Sequence, residues 1–138
     1  MGHRVDSRLF RVVPSYTAKD SRRGAQLHAN RTGVIHMKRE SEFQHRLVSD
    51  IRNRWPGSVV LKNDANYAQG IPDLLVLYEN QWAMLECKRS ANEAHQPNQD
   101  YYVSKLNGMA FARFICPENA EAVLDEMDRH FRGDSALL

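Results

Sequence analysis

The sequence predicts an α/β domain in which a mixed sheet of about four strands is covered by helices on both faces. The first sign is a hairpin over residues 73–88 that is apolar on both sides. Leu75, Leu77, Trp82 and Met84 point one way, and Leu74, Val76, Ala83 and Leu85 the other. A sheet apolar on both faces must bury both. The second sign is an amphipathic helix before the hairpin. The third is a strand–helix–strand order after it, which implies a right-handed crossover and a parallel pairing with the returning hairpin strand.

Each element has a local reason. Within residues 1–36, Leu9-Phe10-Arg11-Val12-Val13 reads as one short strand stopped by Pro14, and the rest is expected to be largely irregular. Over residues 38–55 the apolar positions Phe43, Leu47, Val48, Ile51 and Trp55 recur at helical steps, and Pro56-Gly57 ends the pattern. Residues 58–62 form a short strand, and 63–70 a polar loop whose Asn63, Asn66 and Tyr67 are candidate substrate contacts. Gly70 can take a positive φ and Pro72 holds Ile71 extended, so the loop delivers Asp73 to a defined point. Residues 74–78 are the outgoing strand, Glu79-Asn80 the turn and 82–88 the returning strand. Residues 89–93 connect to a helix that starts at Pro97 and runs to about Asn107, closed by Gly108. Residues 109–116 are a third hydrophobic strand. The last helix begins near Pro117, carries Ala120, Val123, Leu124, Met127 and Phe131 as its apolar stripe, and stops at Gly133, leaving 134–138 frayed.

The 138 residues, 42% hydrophobic and 26% charged, fit one globular domain. No apolar run is long enough to span a bilayer and no secretory signal is apparent, so a cytoplasmic protein is expected. The two cysteines, Cys87 and Cys116, have no ligand spacing around them and read as reduced thiols. The net charge of +2 is unevenly spread: residues 1–36 carry +5 and the remainder −3. A basic arm on a mildly acidic body suits nucleic-acid binding. A solvated tail is the plainer reading, and Met37 at the head of the domain allows a third, a segment upstream of the natural start. The expected division is therefore an arm over 1–36, a domain over 37–133 and a tail over 134–138.

The chemistry converges on the open end of the hairpin. If the turn closes on Glu79 and Asn80, Asp73 falls opposite Glu86, with Lys88 on the same face. Opposed residues on an antiparallel pair have Cβ atoms roughly 4.5–5.5 Å apart. Two carboxylates that close repel unless a proton or a hard cation neutralises them. Glu40 rides the buried edge of the first helix, a face that Glu42 does not share.

Gly70-Ile71-Pro72-Asp73 followed by Glu86-Cys87-Lys88 resembles the signature of the PD-(D/E)xK nuclease superfamily. The wider setting, with the later Gln99, is most similar to its VRR-NUC and Holliday-junction-resolvase-like branches. The resemblance covers roughly residues 40–116 and implies a restriction-endonuclease-like αβββαβα core. It also implies a Mg²⁺-dependent DNA endonuclease, with Mn²⁺ as a substitute, whose products carry 5′-phosphates. Asp73, Glu86 and the backbone carbonyl of Cys87 would hold the metal, and Glu40, with Glu42 in reserve, a metal-bound water or a second metal. Lys88 would orient the attacking water, and Gln99 would face the site. The absence of a recognisable DNA-reading module suits a structure-selective enzyme acting on Holliday junctions or other branched DNA. Cutting two strands implies a homodimer, through the last helix or the exposed hairpin edge. The alternatives are a non-cleaving DNA- or partner-binding module on the same fold, and a structural ion-pair cluster of Asp73, Glu86 and Lys88.

Overall fold

The computed structural model describes the backbone of residues 31–134 and the side chains from Glu40 onward. The expected 9–13 strand, residues 1–30 of the basic arm and the tail beyond Asp134 lie outside the described residues. The elements are α1 (Arg31–Arg54), β1 (Val59–Lys62), β2 (Leu74–Tyr78), β3 (Gln81–Cys87), α2 (Pro97–Met109), β4 (Ala112–Ile115) and α3 (Ala120–Phe131). This is the αβββαβα order expected from the sequence.

The strands form one sheet in the order β1-β2-β3-β4, antiparallel except for the parallel β3–β4 pair. Tyr78 pairs with Gln81, so the turn is Glu79-Asn80 as expected, and Glu79 sits at φ 55. One sheet face lies in a core with Phe43, Leu47, Ile51 and Trp55 from α1 and Val123, Leu124 and Met127 from α3, which meet Leu74, Val76, Ala83 and Leu85. The other face packs Met84 and Ala112, with Leu75, Trp82 and Phe114, against Val103 and Leu106 of α2. Alternation along the strands thus sorts the hairpin between two helix layers.

Four boundaries differ from the sequence reading. Helix α1 begins at Arg31 rather than near Lys38, so residues 31–36 are helical and not irregular, and Met37 lies inside the helix. Gly33 misled here, because one glycine costs a helix only about 1 kcal/mol relative to alanine. Gly108 does not close α2, whose last bond runs from Ala110 N to Leu106 O. Strand β4 is shorter than 109–116 and starts after that helix end. Helix α3 begins at Ala120, not at Pro117, because Asn119 ties residues 116–119 into a turn. Its side chain accepts from Cys116 N at 2.8 Å and donates to Phe114 O at 3.2 Å. Among the described residues no helix is long and apolar enough to cross a membrane.

Candidate active site

The frame of the site is set by backbone contacts at the end of the sheet remote from the hairpin turn. Asn63 donates its backbone N–H to Asp73 O and its side-chain amide to Pro72 O, both at 2.8 Å. Asn63, a candidate substrate contact in the sequence, is therefore bound into the scaffold. Gly70 has φ +89, and a Cβ there would lie 2.4 Å from Asn98 Cβ. Only glycine lets the approach loop run against the first turn of α2. Asn66 and Tyr67 sit in a turn organised by Asp64, and both are exposed.

The register Leu74↔Leu85 continues to place Asp73 opposite Glu86. Asp73 Oδ2 accepts the backbone N–H of Cys87 at 2.8 Å, which fixes one oxygen of that carboxylate. Glu86 is only 4% exposed and Lys88 6%. Gln99 joins them: its Nε2 donates to Glu86 Oε1 at 2.6 Å, and its Oε1 accepts from Lys88 Nζ at 2.7 Å. The same Oε1 accepts from Gln96 N at 3.0 Å, so the capping of α2 also fixes the rotamer of Gln99. Lys88 donates once more, to Ala94 O at 3.3 Å.

The electrostatics separate this cluster from a neutralised ion pair. Burial, then the charge of Asp73, pushes the Glu86 carboxyl up to about 8, against the opposing pull of Lys88. Asp73 is raised mainly by burial, despite the Cys87 N–H and Lys88. Glu40 is raised by burial, then by Glu93 and Asp73, while Lys88 and Arg89 lower it. Burial and mutual charge thus raise all three carboxyls, with Glu93 adding to the field at Glu40 and Asp73. The Cys87 thiol is pushed up by burial and bonded by Gln44, one helical turn after Glu40. A buried thiol held protonated is inert, as the sequence reading expects.

Among the described residues no three His, Cys, Asp or Glu side chains close into a ready metal-ligating group. The donor chemistry nonetheless fits a hard divalent cation. Magnesium is commonly held by one or two carboxylates with waters and substrate oxygens completing its shell, rather than by an all-protein cage. Asp73 and Glu86 supply such a pair, and burial, then the neighbouring charge of Asp73, disfavours the ionised form of Glu86 in the cation-free protein.

The structure brings Asp73, Glu86, Lys88 and Gln99 together, with Glu40 at their edge. Glu42 lies on the exposed side of α1. Sequence reasoning missed Gln44, Glu93 and the Ala94 carbonyl. Gln44 was findable, since it is one turn from Glu40; Glu93 and Ala94 lie in a connection with no pattern to read.

No protein-family model matches this sequence, and no curated protein matches it either. The chain is similar to a solved structure described as a VRR_NUC domain, at 18% identity and a TM-score of 0.49, covering 63% of this chain and 95% of that one.

Proposed function

We propose that this protein hydrolyses phosphodiester bonds in DNA with a divalent cation, Mg²⁺ or Mn²⁺ in its place. The observation that carries this reading is the buried bridge Glu86–Gln99–Lys88 beside Asp73. It sets two repelling carboxylates and one ammonium at a single strand end. Asp73, Glu86 and the Cys87 carbonyl are the proposed holders of the cation, with Glu40 as a further oxygen. When bound, the cation would act as a Lewis acid on the phosphoryl group and make water more acidic.

The chain's own residues do the positioning. An ammonium has three donors. Gln99 and Ala94 occupy two on Lys88, so one is left to hold a phosphate oxygen or the attacking water. Gln99 keeps the ammonium and the Glu86 carboxyl at a fixed separation. Its α2 capping bond means that this separation does not depend on a mobile side chain. The Cys87 N–H holds one oxygen of Asp73 and orients the other.

Branched DNA, Holliday junctions included, is the proposed substrate class, and residues 1–36, at +5, a proposed DNA-binding arm. Cutting two strands takes two such centres. The hairpin has no free edge, since β1 and β4 cover its two strands, so a homodimer is proposed through the β1 side of the sheet, where Val59 and Leu61 of β1 and Leu77 of β2 stay exposed. The apolar stripe of α3 is used up in the core. A cytoplasmic location remains part of the proposal.

The test is the purified protein with Mg²⁺ on matched duplex, nicked, flap and four-way-junction DNA, with Asp73→Asn alongside. Cleavage of branched DNA by the wild type and none by the variant is the expected result. Equal cutting by both proteins would move the site elsewhere. Tight binding with no cleavage under any divalent cation would favour the non-cleaving module.

A further inference from the structure

We propose that the groove between α1 and the end of β1 carries the backbone of the bound DNA strand, with Lys62 taking the phosphate next to the one that is cut and Arg46 the one beyond it. This rests on the hydrolase reading above and adds the path of the substrate. The groove encloses about 480 Å³ and is lined by Ser41, Glu42, His45, Arg46 and Lys62.

Its position follows from the helix and the sheet together. Glu40 and Gln44 lie one turn apart and turn toward the acidic centre, where Gln44 meets the Cys87 thiol. Ser41, Glu42, His45 and Arg46 form the adjoining, exposed stripe of the same helix. Across from it, Lys62 closes β1 opposite Leu74, directly beside Asp73. A strand whose scissile phosphate lies at Asp73 and Glu86 therefore meets Lys62 first and Arg46 beyond it.

The charges there are available for a ligand. Elsewhere among the described residues Arg54 pairs with Asp125, Arg113 with Glu126 and Arg132 with Asp128, whereas Arg52, Arg89 and Arg129 form no ion pair, so it is the shared groove that singles out Arg46 and Lys62. Among the described residues neither Arg46 nor Lys62 forms an ion pair. Ser41 and His45 add further hydrogen-bond donors suited to phosphate oxygens. Glu42 shares the wall and limits the groove to a modest positive charge, which suits a path for a strand better than a trap for free phosphate.

The experiment measures binding of labelled four-way-junction and duplex DNA across a salt series, in Ca²⁺ and in EDTA, for Arg46→Ala, Lys62→Ala and the double variant. Lys105→Ala, which removes an exposed charge on α2, is the control. Removing one phosphate-binding side chain should flatten the log–log salt slope by roughly 0.9 on duplex DNA. Affinity should weaken several-fold for each single variant and further for the double. Arg46→Lys and Lys62→Arg should keep most of the slope. An unchanged slope in the double variant, or an equal change in Lys105→Ala, overturns the groove while leaving cleavage by the wild type to stand. A flattened slope in a protein that never cuts would keep the groove and sink the hydrolase. Both positions are exposed, so an unchanged thermal transition checks that folding is intact.

Discussion

The two ends of the sheet handle charge in opposite ways. At the turn end, Trp55, Tyr78 and Phe131 stack edge-on and tilted at 5.3–5.4 Å. The Trp55 indole donates to Asp128 at 3.1 Å, and the surrounding acids pair with Arg54 and Arg132 at the surface. At the other end Glu40, Asp73 and Glu86 are gathered and partly or wholly buried around a single buried ammonium. The turn end follows the rules for stability: apolar inside, opposite charges paired in solvent. The strand end breaks them, since burying like charges together costs stability. A cluster that costs the fold stability is what the proposed hydrolase accounts for.

The most direct challenge to this contrast is to exchange the effects of mutation. Asp73→Asn and Glu86→Gln should lower DNA cleavage by about a thousandfold or more. Their thermal transitions in EDTA should be unchanged or raised, because repulsion is relieved. Trp55→Ala or Phe131→Ala should instead cost about 3–5 kcal/mol in denaturant unfolding, through the cavity left behind. If the acid variants unfolded like the aromatic ones, the strand end would be structural. Lys88→Ala is expected to do both: it abolishes cleavage and, by stripping Gln99 and the carboxylates of their partner, costs about 1–3 kcal/mol.

The pH dependence comes next in size. Folded Glu86 titrates near 8, whereas the unfolded chain's glutamate titrates at 4.5. Between those values the folded state keeps a proton that the unfolded state has released, so metal-free stability should fall as pH rises from about 4.5 to about 8 and then level off. Asp73 and Glu40, also raised, contribute with the same sign. A thermal-shift series in EDTA that rose over that window would contradict the assignment. Glu86→Gln should flatten the series, and added Mg²⁺ should raise the wild-type transition most at the alkaline end.

Smaller effects define the edges of the two regions. Glu40→Gln should reduce cleavage strongly and Glu42→Gln mildly, since Glu40 is half-buried on the side of Asp73 while Glu42 is exposed; equal losses in a single-turnover assay would place both at the site. At the turn end, Arg54→Ala breaks an exposed pair with Asp125 and should shift unfolding by no more than about 1 kcal/mol.

Element order, the two-residue turn and, through it, the opposition of Asp73 and Glu86 are all legible in the chain before it folds. Strand periodicity is strict, so one turn position fixes every pairing in the hairpin. The same local signals put Gln99 in the first turn of α2. Helix ends were less legible: α1 starts before Gly33 and α2 runs past Gly108 because a single glycine costs a helix too little to end it.

How these residues meet is a matter of packing. No local pattern says that Gln99 bridges Glu86 and Lys88, that Asn63 braces Pro72, or that Gly70 must lack a side chain because Asn98 occupies the space. It also took the packed fold to turn Glu40 toward the carboxylates while leaving Arg46 and Lys62 facing a common groove. Spacing along a strand or helix is set by backbone geometry and can be read from the chain. Contact between elements is set by how their faces pack, and the burial that raises Glu86 exists only once α2 has closed over the sheet.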